Sequence, residues 1–283
     1  MTSTYARARV GDVVALIDDL YPPQLAEPWD SVGLIVGDPD DRVERVLVAL
    51  DPVCAIGEEA RSIGANFVLT HHPLYLRPTH SVATTQAKGR LVHQLIRSGC
   101  ALMNAHTNAD AQTGGVADIL SDMVGMSENR VPLVANDDDV SVGIGRVGEL
   151  REPCSLAEFA ARVARVLPST PAGVTWSGDP DAAVRRVAVS PGAGDSLLGD
   201  VCEAGVDAYV TADMRHHPAS EHLEDGGPAL VIGSHYATES PWVAMAAKRI
   251  SEAARERGLN LDVCASTRVT EPWHGHLSTK EEQ

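Results

Sequence analysis

The chain has 283 residues, enough for one large domain or two of ordinary size. Hydrophobic residues make up 44%, so a substantial core is available; aromatics at 4% leave that core to Val, Leu, Ala and Ile. With 39 acidic against 23 basic residues the formal charge is −16, which argues against a general nucleic-acid binder, since that needs a basic face to neutralise phosphate.

The five cysteines, Cys54, Cys100, Cys154, Cys202 and Cys264, are scattered, with no CxxC pair. A disulfide framework is therefore not expected, and a cytoplasmic location is. No apolar stretch has the form of a signal peptide, and no run approaches the roughly 18 apolar residues of a membrane span.

Residues 10–20 place apolar side chains at 10, 13, 14, 16, 17 and 20, which is helical spacing, and Tyr21-Pro22-Pro23 ends the helix. Residues 27–37 form a loop entering a short apolar strand. A buried strand is expected over 43–50, a helix over 54–63, a strand over 66–70, a helix over 88–98 closed by Gly99, and a strand over 101–104. Strands alternating with helices predict an α/β fold with a mainly parallel sheet covered on both faces. Farther on, 116–124 is a helix, 136–139 an acidic turn and 143–150 a strand. Ser155-Leu156-Ala157-Glu158 has the spacing of a capping box and opens a helix to about Leu167. Val174-Thr175-Trp176 is a further strand.

An internal repeat organises these elements. With Arg45-Val46-Leu47-Val48 set beside Arg186-Val187-Ala188-Val189, Gly64-Ala65-Asn66 falls opposite Gly205-Val206-Asp207, and Thr70 opposite Thr211. Each half continues to a short apolar strand and then a histidine four residues before an acid: His106 and Asp110, then His235 and Glu239. The repeat predicts two related α/β modules, over 1–130 and 131–239, with 240–283 packing back on the first. Their strand ends would converge on one cleft.

Val68-Leu69-Thr70-His71-His72-Pro73 ends an apolar run in two imidazoles and a proline, which cannot continue a ladder. In open α/β sheets that carboxyl end is where ligands bind. His71, His72, His106, Asp110, His235 and Glu239 are imidazoles and carboxylates, a donor set for Zn, Fe, Mn or Ni. One catalytic zinc needs only three protein ligands, so the surplus argues for two metals. His216-His217-Pro218 echoes the first histidine pair; His217 is either an acid–base group or one of a surface pair. His80, His93, His222, His274 and His276 read as solvated or structural. Gly192-Ala193-Gly194-Asp195, after a strand and before a helix, has the placement of a phosphate loop without the full dinucleotide or P-loop signature.

Four stretches in this order, Trp29-Asp30-Ser31-Val32-Gly33-Leu34, Leu69-Thr70-His71-His72-Pro73-Leu74, His106-Thr107-x-x-Asp110 and Gly233-x-His235-x-x-x-Glu239, resemble the Nif-three-like family, the GTP cyclohydrolase I type 2 homologues. The resemblance covers about residues 10–272. It implies two related α/β domains, a dinuclear centre of divalent transition-metal ions in the cleft between them, and a ring-shaped homohexamer. It puts the metal ligands on His71, His72, Asp110, His235 and Glu239, with His106 beside them. The implied activity is that of a metal-dependent hydrolase, in which an activated hydroxide attacks a nucleotide or phosphoester. Glu239 would bridge the metals, and His106 or His217 would move protons. The family usually has Asn where this chain has Ser31. The segment between Asp110 and Arg186 is too short for the family's inserted domain, so the chain resembles the short form. The other reading of the same donors is a non-catalytic metal-binding regulatory or scaffold protein. The expected partner is a small-molecule substrate, nucleotides being one class, with no membrane. Trp29, Trp242 and Trp273 are candidates for subunit interfaces.

Overall fold

Short β-rich runs alternating with amphipathic helices fold as an α/β protein, described here from a computed structural model over residues 6–278. The outermost parts of the expected modules, 1–5 and 279–283, lie outside the described residues. In chain order the first elements are β1 (Ala6–Arg9), α1 (Val10–Leu20), β2 (Gly33–Val36), β3 (Arg42–Val43), β4 (Arg45–Ala49), α2 (Cys54–Ile63), β5 (Phe67–Thr70), α3 (Ala87–Arg97), β6 (Ala101–Asn104) and α4 (Thr107–Ala111). There follow α5 (Val116–Val124), β7 (Val134–Ala135), β8 (Gly143–Ile144), β9 (Arg146–Ser155), α6 (Leu156–Val166), β10 (Thr175–Trp176), β11 (Ala183–Ala193), α7 (Leu198–Glu203), β12 (Ala208–Ala212), α8 (His216–Glu224), β13 (Ala229–Ile232) and α9 (His235–Glu239). The chain closes with α10 (Pro241–Glu256), β14 (Leu259–Asn260) and β15 (Asp262–Ala265). Two units result: one runs to Gln112 and takes in Trp242–Val269, and the other comprises Thr113–Pro241 with the segment from Thr270 onward.

The first unit is built on a five-stranded sheet of order β15-β4-β5-β6-β2, in which only the β2 edge is antiparallel. The second has the order β9-β11-β12-β13-β10, parallel from β11 to β13 with antiparallel edges. Over β4-β5-β6-β2 and β11-β12-β13-β10 the two sheets share one topology, as the repeat predicts. The matched residues also do matched work. Asn66 accepts hydrogen bonds from the backbone of Glu44 and Arg45, and Asp207 from the backbone of Arg185 and Arg186. Gly64 and Gly205 sit at φ +69° and +60°, left-handed conformations that cost glycine little at a helix end.

The strand expected over 43–50 is broken at Glu44. Asn66 takes the amides of Glu44 and Arg45 and donates to Arg42 O, so β3 departs to pair with β1 while β4 enters the main sheet. The capping box at Ser155 forms as its spacing predicts: Glu158 N donates to Ser155 Oγ at 3.3 Å and Ser155 N to Glu158 Oε2 at 2.9 Å.

The central strands β5 and β12 are buried along their whole length. In the first unit, Ile56 of α2 and Leu91 and Leu95 of α3 pack on Leu47, Val68 and Leu102 of the sheet. Trp242, at the start of α10, is fully buried against Tyr21, with ring centroids 5.8 Å apart. This tryptophan belongs to the core of its own chain and is not available to a subunit interface; Trp29 and Trp273 are exposed. In the second unit, Phe159 and Val163 of α6 cover one sheet face with Val187, Val210 and Val231, and Val201 and Tyr209 lie in a separate cluster. Each such aliphatic side chain contributes about 1.5–3 kcal/mol by leaving water. Among the described residues no helix is long and apolar enough to cross a membrane.

One buried charge cluster pins the second unit. Asp118 on α5 accepts from Arg146 Nε at 3.1 Å, Arg146 Nη2 at 3.0 Å and Arg130 Nε at 2.6 Å. Burial pushes its carboxyl up, but the Arg146 hydrogen bond and charge, Gly114 N–H and Arg130 outweigh that and hold it below the ordinary carboxylate value. A group with a lowered folded pKa stabilises fully above its unfolded pKa, and that contribution is lost as pH falls through the folded value. Asp118→Asn should therefore cost about 3–5 kcal/mol at neutral pH, because it leaves buried Arg146 without its counter-charge. The variant should also lose less stability than the parent on acidification below about pH 4. Urea unfolding between neutral and acid pH tests both; an unchanged midpoint at neutral pH would refute the assignment.

Candidate metal centre

In the first unit the histidines stand where the parallel strands end. At the tip of β5, His71 N and His72 N still donate to Ala49 O and Leu50 O, and Thr70 Oγ1 donates to His72 O at 2.8 Å, turning the chain before Pro73. Two neighbouring imidazoles, which an extended strand would send to opposite faces, are thereby tilted together, with ring centroids 5.1 Å apart. Ala105 and His106 follow β6, and α4 begins immediately after them, so Asp110 lies one turn along it. One ligand nitrogen from each of His71, His72 and His106 lies within 4.8 Å of the others. His71 Nε2 is 3.6 Å from Asp110 Oδ1. Two ligands on one tetrahedral ion with bonds of about 2.0–2.2 Å would be about 3.3 Å apart, so the donors fit a metal in spacing as well as in type.

Each ring is set by a hydrogen bond at its other nitrogen. His71 Nδ1 donates to Ala105 O at 3.0 Å, His72 Nδ1 to Asp51 Oδ1 at 2.7 Å, and His106 Nδ1 to the Asp30 carboxylate at 3.0 Å. A neutral imidazole that donates from Nδ1 carries its lone pair on Nε2, so these contacts fix both tautomer and orientation. Asp30 also accepts from Thr107 N and Thr107 Oγ1. Burial pushes the Asp30 carboxyl up, but the hydrogen bonds from His106 and Thr107, with the His106 charge, hold it well below the ordinary carboxylate range. Beneath the cluster, His71 is fully buried beside Trp242, with ring centroids 5.3 Å apart.

The second unit carries the matched pair. α9 starts at His235, with Ser234 Oγ accepting from Ala237 N as its cap. Glu239 is one turn on, and its Oε1 lies 3.1 Å from His235 Nε2. His235 Nδ1 donates to Asp213 Oδ2 at 2.7 Å, the arrangement found in the first unit. Asp213 has φ +49° and is the only non-glycine among the described residues with positive φ, a conformation that costs energy and is often held at functional sites.

The glycine-rich stretch that lacks the full phosphate-loop signature makes room for Glu239. Gly192 and Ala193 belong to β11, and a short 3-10 turn, Asp195–Leu197, precedes the six-residue α7. The Asp195 carboxylate is bonded to Arg215. A Cβ on Gly192 would lie 2.3 Å from Glu239 Oε1, and its φ is +67°. The glycine is there because Glu239 leaves it no side-chain space. His217 lies on the exposed first turn of α8, its ring edge-on to His216. His222 is a buried structural histidine whose Nε2 donates to Pro228 O. None of the five cysteines enters a donor group, and burial pushes the Cys100 thiol up to about 12.

Asp30, Asp51 and Asp213, the three carboxylates behind the rings, are absent from the set that motif spacing selects. Asp213 had a signal: the register that places Thr70 beside Thr211 carries His72 onto it. Asp30 lies inside the tryptophan motif. Asp51 follows β4 without any distinguishing pattern.

An α/β chain whose strand ends present histidine and carboxylate groups able to hold a metal defines a class, and comparison supplies the family. A family model described as Duf34/NIF3 (NGG1p interacting factor 3) matches residues 8–272, and the chain belongs to that family. The GTP cyclohydrolase 1 type 2 homolog of Streptomyces coelicolor is 46% identical over 273 residues, covering 96% of this chain and 95% of the relative. The protein of the same name from Mycobacterium bovis is 34% identical over 381 residues, covering 97% and 99%; it carries sequence that this shorter chain lacks. The solved structure of a Bacillus cereus protein related to NIF3 shares the fold, with TM-score 0.88, 23% identity, and coverage of 94% of this chain and 98% of that one.

Removing a carboxylate behind a ligating imidazole typically weakens metal binding about 10–100-fold. Asp51 stands behind His72 in this way, so Asp51→Asn should weaken Zn2+ binding by that amount in competition with a chromophoric chelator, with the circular dichroism unchanged. Wild-type affinity in the variant would exclude the Asp51–His72 pair from the centre.

Proposed function

We propose that this protein is a metal-dependent hydrolase whose His71, His72 and Asp110, together with His235 and Glu239, hold two divalent transition-metal ions. The observation that carries this reading is the shared hydrogen bond: His71, His72, His106 and His235 each donate from Nδ1 to a carboxylate or carbonyl, which leaves the lone pair on Nε2, for coordination at the three ligating rings and for proton transfer at His106. Solvated surface histidines have no reason to share one tautomer.

Bound ions would act as Lewis acids toward water and a substrate oxygen. The chain supplies the rest. Glu239 is buried, and its carboxylate would be among the groups that hold the ions. His106 is the group to accept and return a proton at Nε2, because its Nδ1 donates to the Asp30 carboxylate and Nε2 keeps the lone pair. Among the described residues His217 has His216 beside it and no such carboxylate contact, so the proton role falls to His106. The substrate class is a nucleotide or another phosphoester. The relatives' shared name supports the first and the two-metal donor set the second.

The test is a screen of Zn2+-, Mn2+- and Fe2+-loaded protein against GTP and phosphoesters, with metal content measured alongside. Glu239→Ala and His72→Ala should each abolish turnover. If the two donor sets serve one dinuclear centre, either substitution should also reduce both metal equivalents. Turnover surviving Glu239→Ala would remove the mechanism, and metal uptake without turnover on any substrate would favour the scaffold reading.

The family resemblance carries a homohexamer with this function, and the large negative charge favours defined contacts over non-specific ones. Light scattering at low concentration and physiological salt should give a mass several times the 30.0 kDa of one chain. A single-chain mass would end the idea.

A further inference from the structure

Two tryptophans touch the histidine cluster in opposite ways. Trp242 is fully buried beneath His71. Trp29 is 59% exposed, and its indole meets the His106 ring edge-on, with centroids 6.2 Å apart at 82°. Trp29 thus presents accessible aromatic surface in contact with the cluster.

Its position is also fixed. Trp29 occupies a turn closed by Asp30 N donating to Glu27 O at 2.9 Å, and Pro28 before it has a locked φ. Both ends of the turn are tied to the first residue of α4. Glu27 N donates to Thr107 Oγ1 at 2.9 Å, and Asp30 accepts from Thr107 N at 3.0 Å and from Thr107 Oγ1 at 2.6 Å. The same Asp30 carboxylate orients His106. One short segment therefore sets a ring of the donor cluster and holds an indole in water beside it. A large apolar side chain kept exposed by so many tethers gains nothing from its own core, whereas a preorganised aromatic face binds a planar ring at little entropic cost.

We infer that Trp29 is a stacking platform for the base of a nucleotide substrate, a specificity-determining residue that places the base beside His106. The inference rests on the proposed metal centre for its purpose but not for its measurement. Every base has a π-face, and the sequence carries no guanine-reading motif, so the platform selects for a base without choosing among purines.

The experiment uses full-length wild type, Trp29→Ala and Trp29→Phe, each with and without Zn2+. Calorimetry compares GMP and AMP with ribose 5-phosphate, and circular dichroism and light scattering are recorded on the same samples. GMP and AMP should bind wild type alike, and about tenfold or more tighter than ribose 5-phosphate. Trp29→Ala should erase that margin while leaving ribose 5-phosphate unchanged, and Trp29→Phe should keep most of it. No margin in wild type, or an undiminished margin in Trp29→Ala, overturns the inference. So does a change of mass in Trp29→Ala, which would make the indole a subunit contact. Failure of the metal centre is distinguishable: Zn2+ uptake would be absent while the base margin persisted in metal-free protein.

Discussion

The arrangement depends on hydrogen bonds at the far side of four imidazoles. A histidine can rotate, flip and choose between two tautomers, and each freedom would scatter its coordinating nitrogen. Ala105 O, Asp51, Asp30 and Asp213 remove those freedoms at His71, His72, His106 and His235. The acceptors are themselves set by backbone at strand ends, where main-chain hydrogen bonding gives out and side chains turn toward one another. The fold thus converts β-sheet register into the spacing of donor nitrogens.

Packing keeps that register from slipping. β5 and β12 are buried along their whole length, so a one-residue shift would exchange every side chain between the two faces and break the close packing on both. Asn66 and Asp207 pin the start of each sheet by taking two successive amides of the neighbouring strand. Trp242 and Tyr21 close the space below His71, which excludes water from the ring's inner side. Gly192 shows the opposite device, a position emptied so that Glu239 can occupy it.

Function follows from the kind of donor. Neutral imidazole and carboxylate, without thiolate, suit borderline divalent ions that exchange water and act as Lewis acids. The Asp30–His106 pair would add a proton carrier of defined tautomer, and the Trp29 turn links that pair to an exposed aromatic face. Metal binding, proton transfer and substrate orientation would then share one short segment, 27–30, and one strand end.

By itself the sequence determined the α/β class, most element boundaries, the repeat and the histidine and carboxylate residues that stand beyond the strand ends. These are written in local patterns: β-rich runs, helical spacing, His-His-Pro after a strand, and His-x-x-x-acid after another. The helix limits at 10–20 and 54–63 coincide with the structure because proline and glycine end them through backbone geometry alone. Tertiary structure decided what depends on distant residues. Glu44 breaks a strand because Asn66 takes the neighbouring amides, and the glycine stretch at 192 backs a carboxylate because α9 arrives there. Trp242 is core and Trp29 is surface although both are tryptophans near proline. Asp51 meets His72 across two adjacent strands, and no local pattern encodes that hydrogen bond, because it exists only once parallel strands align their ends.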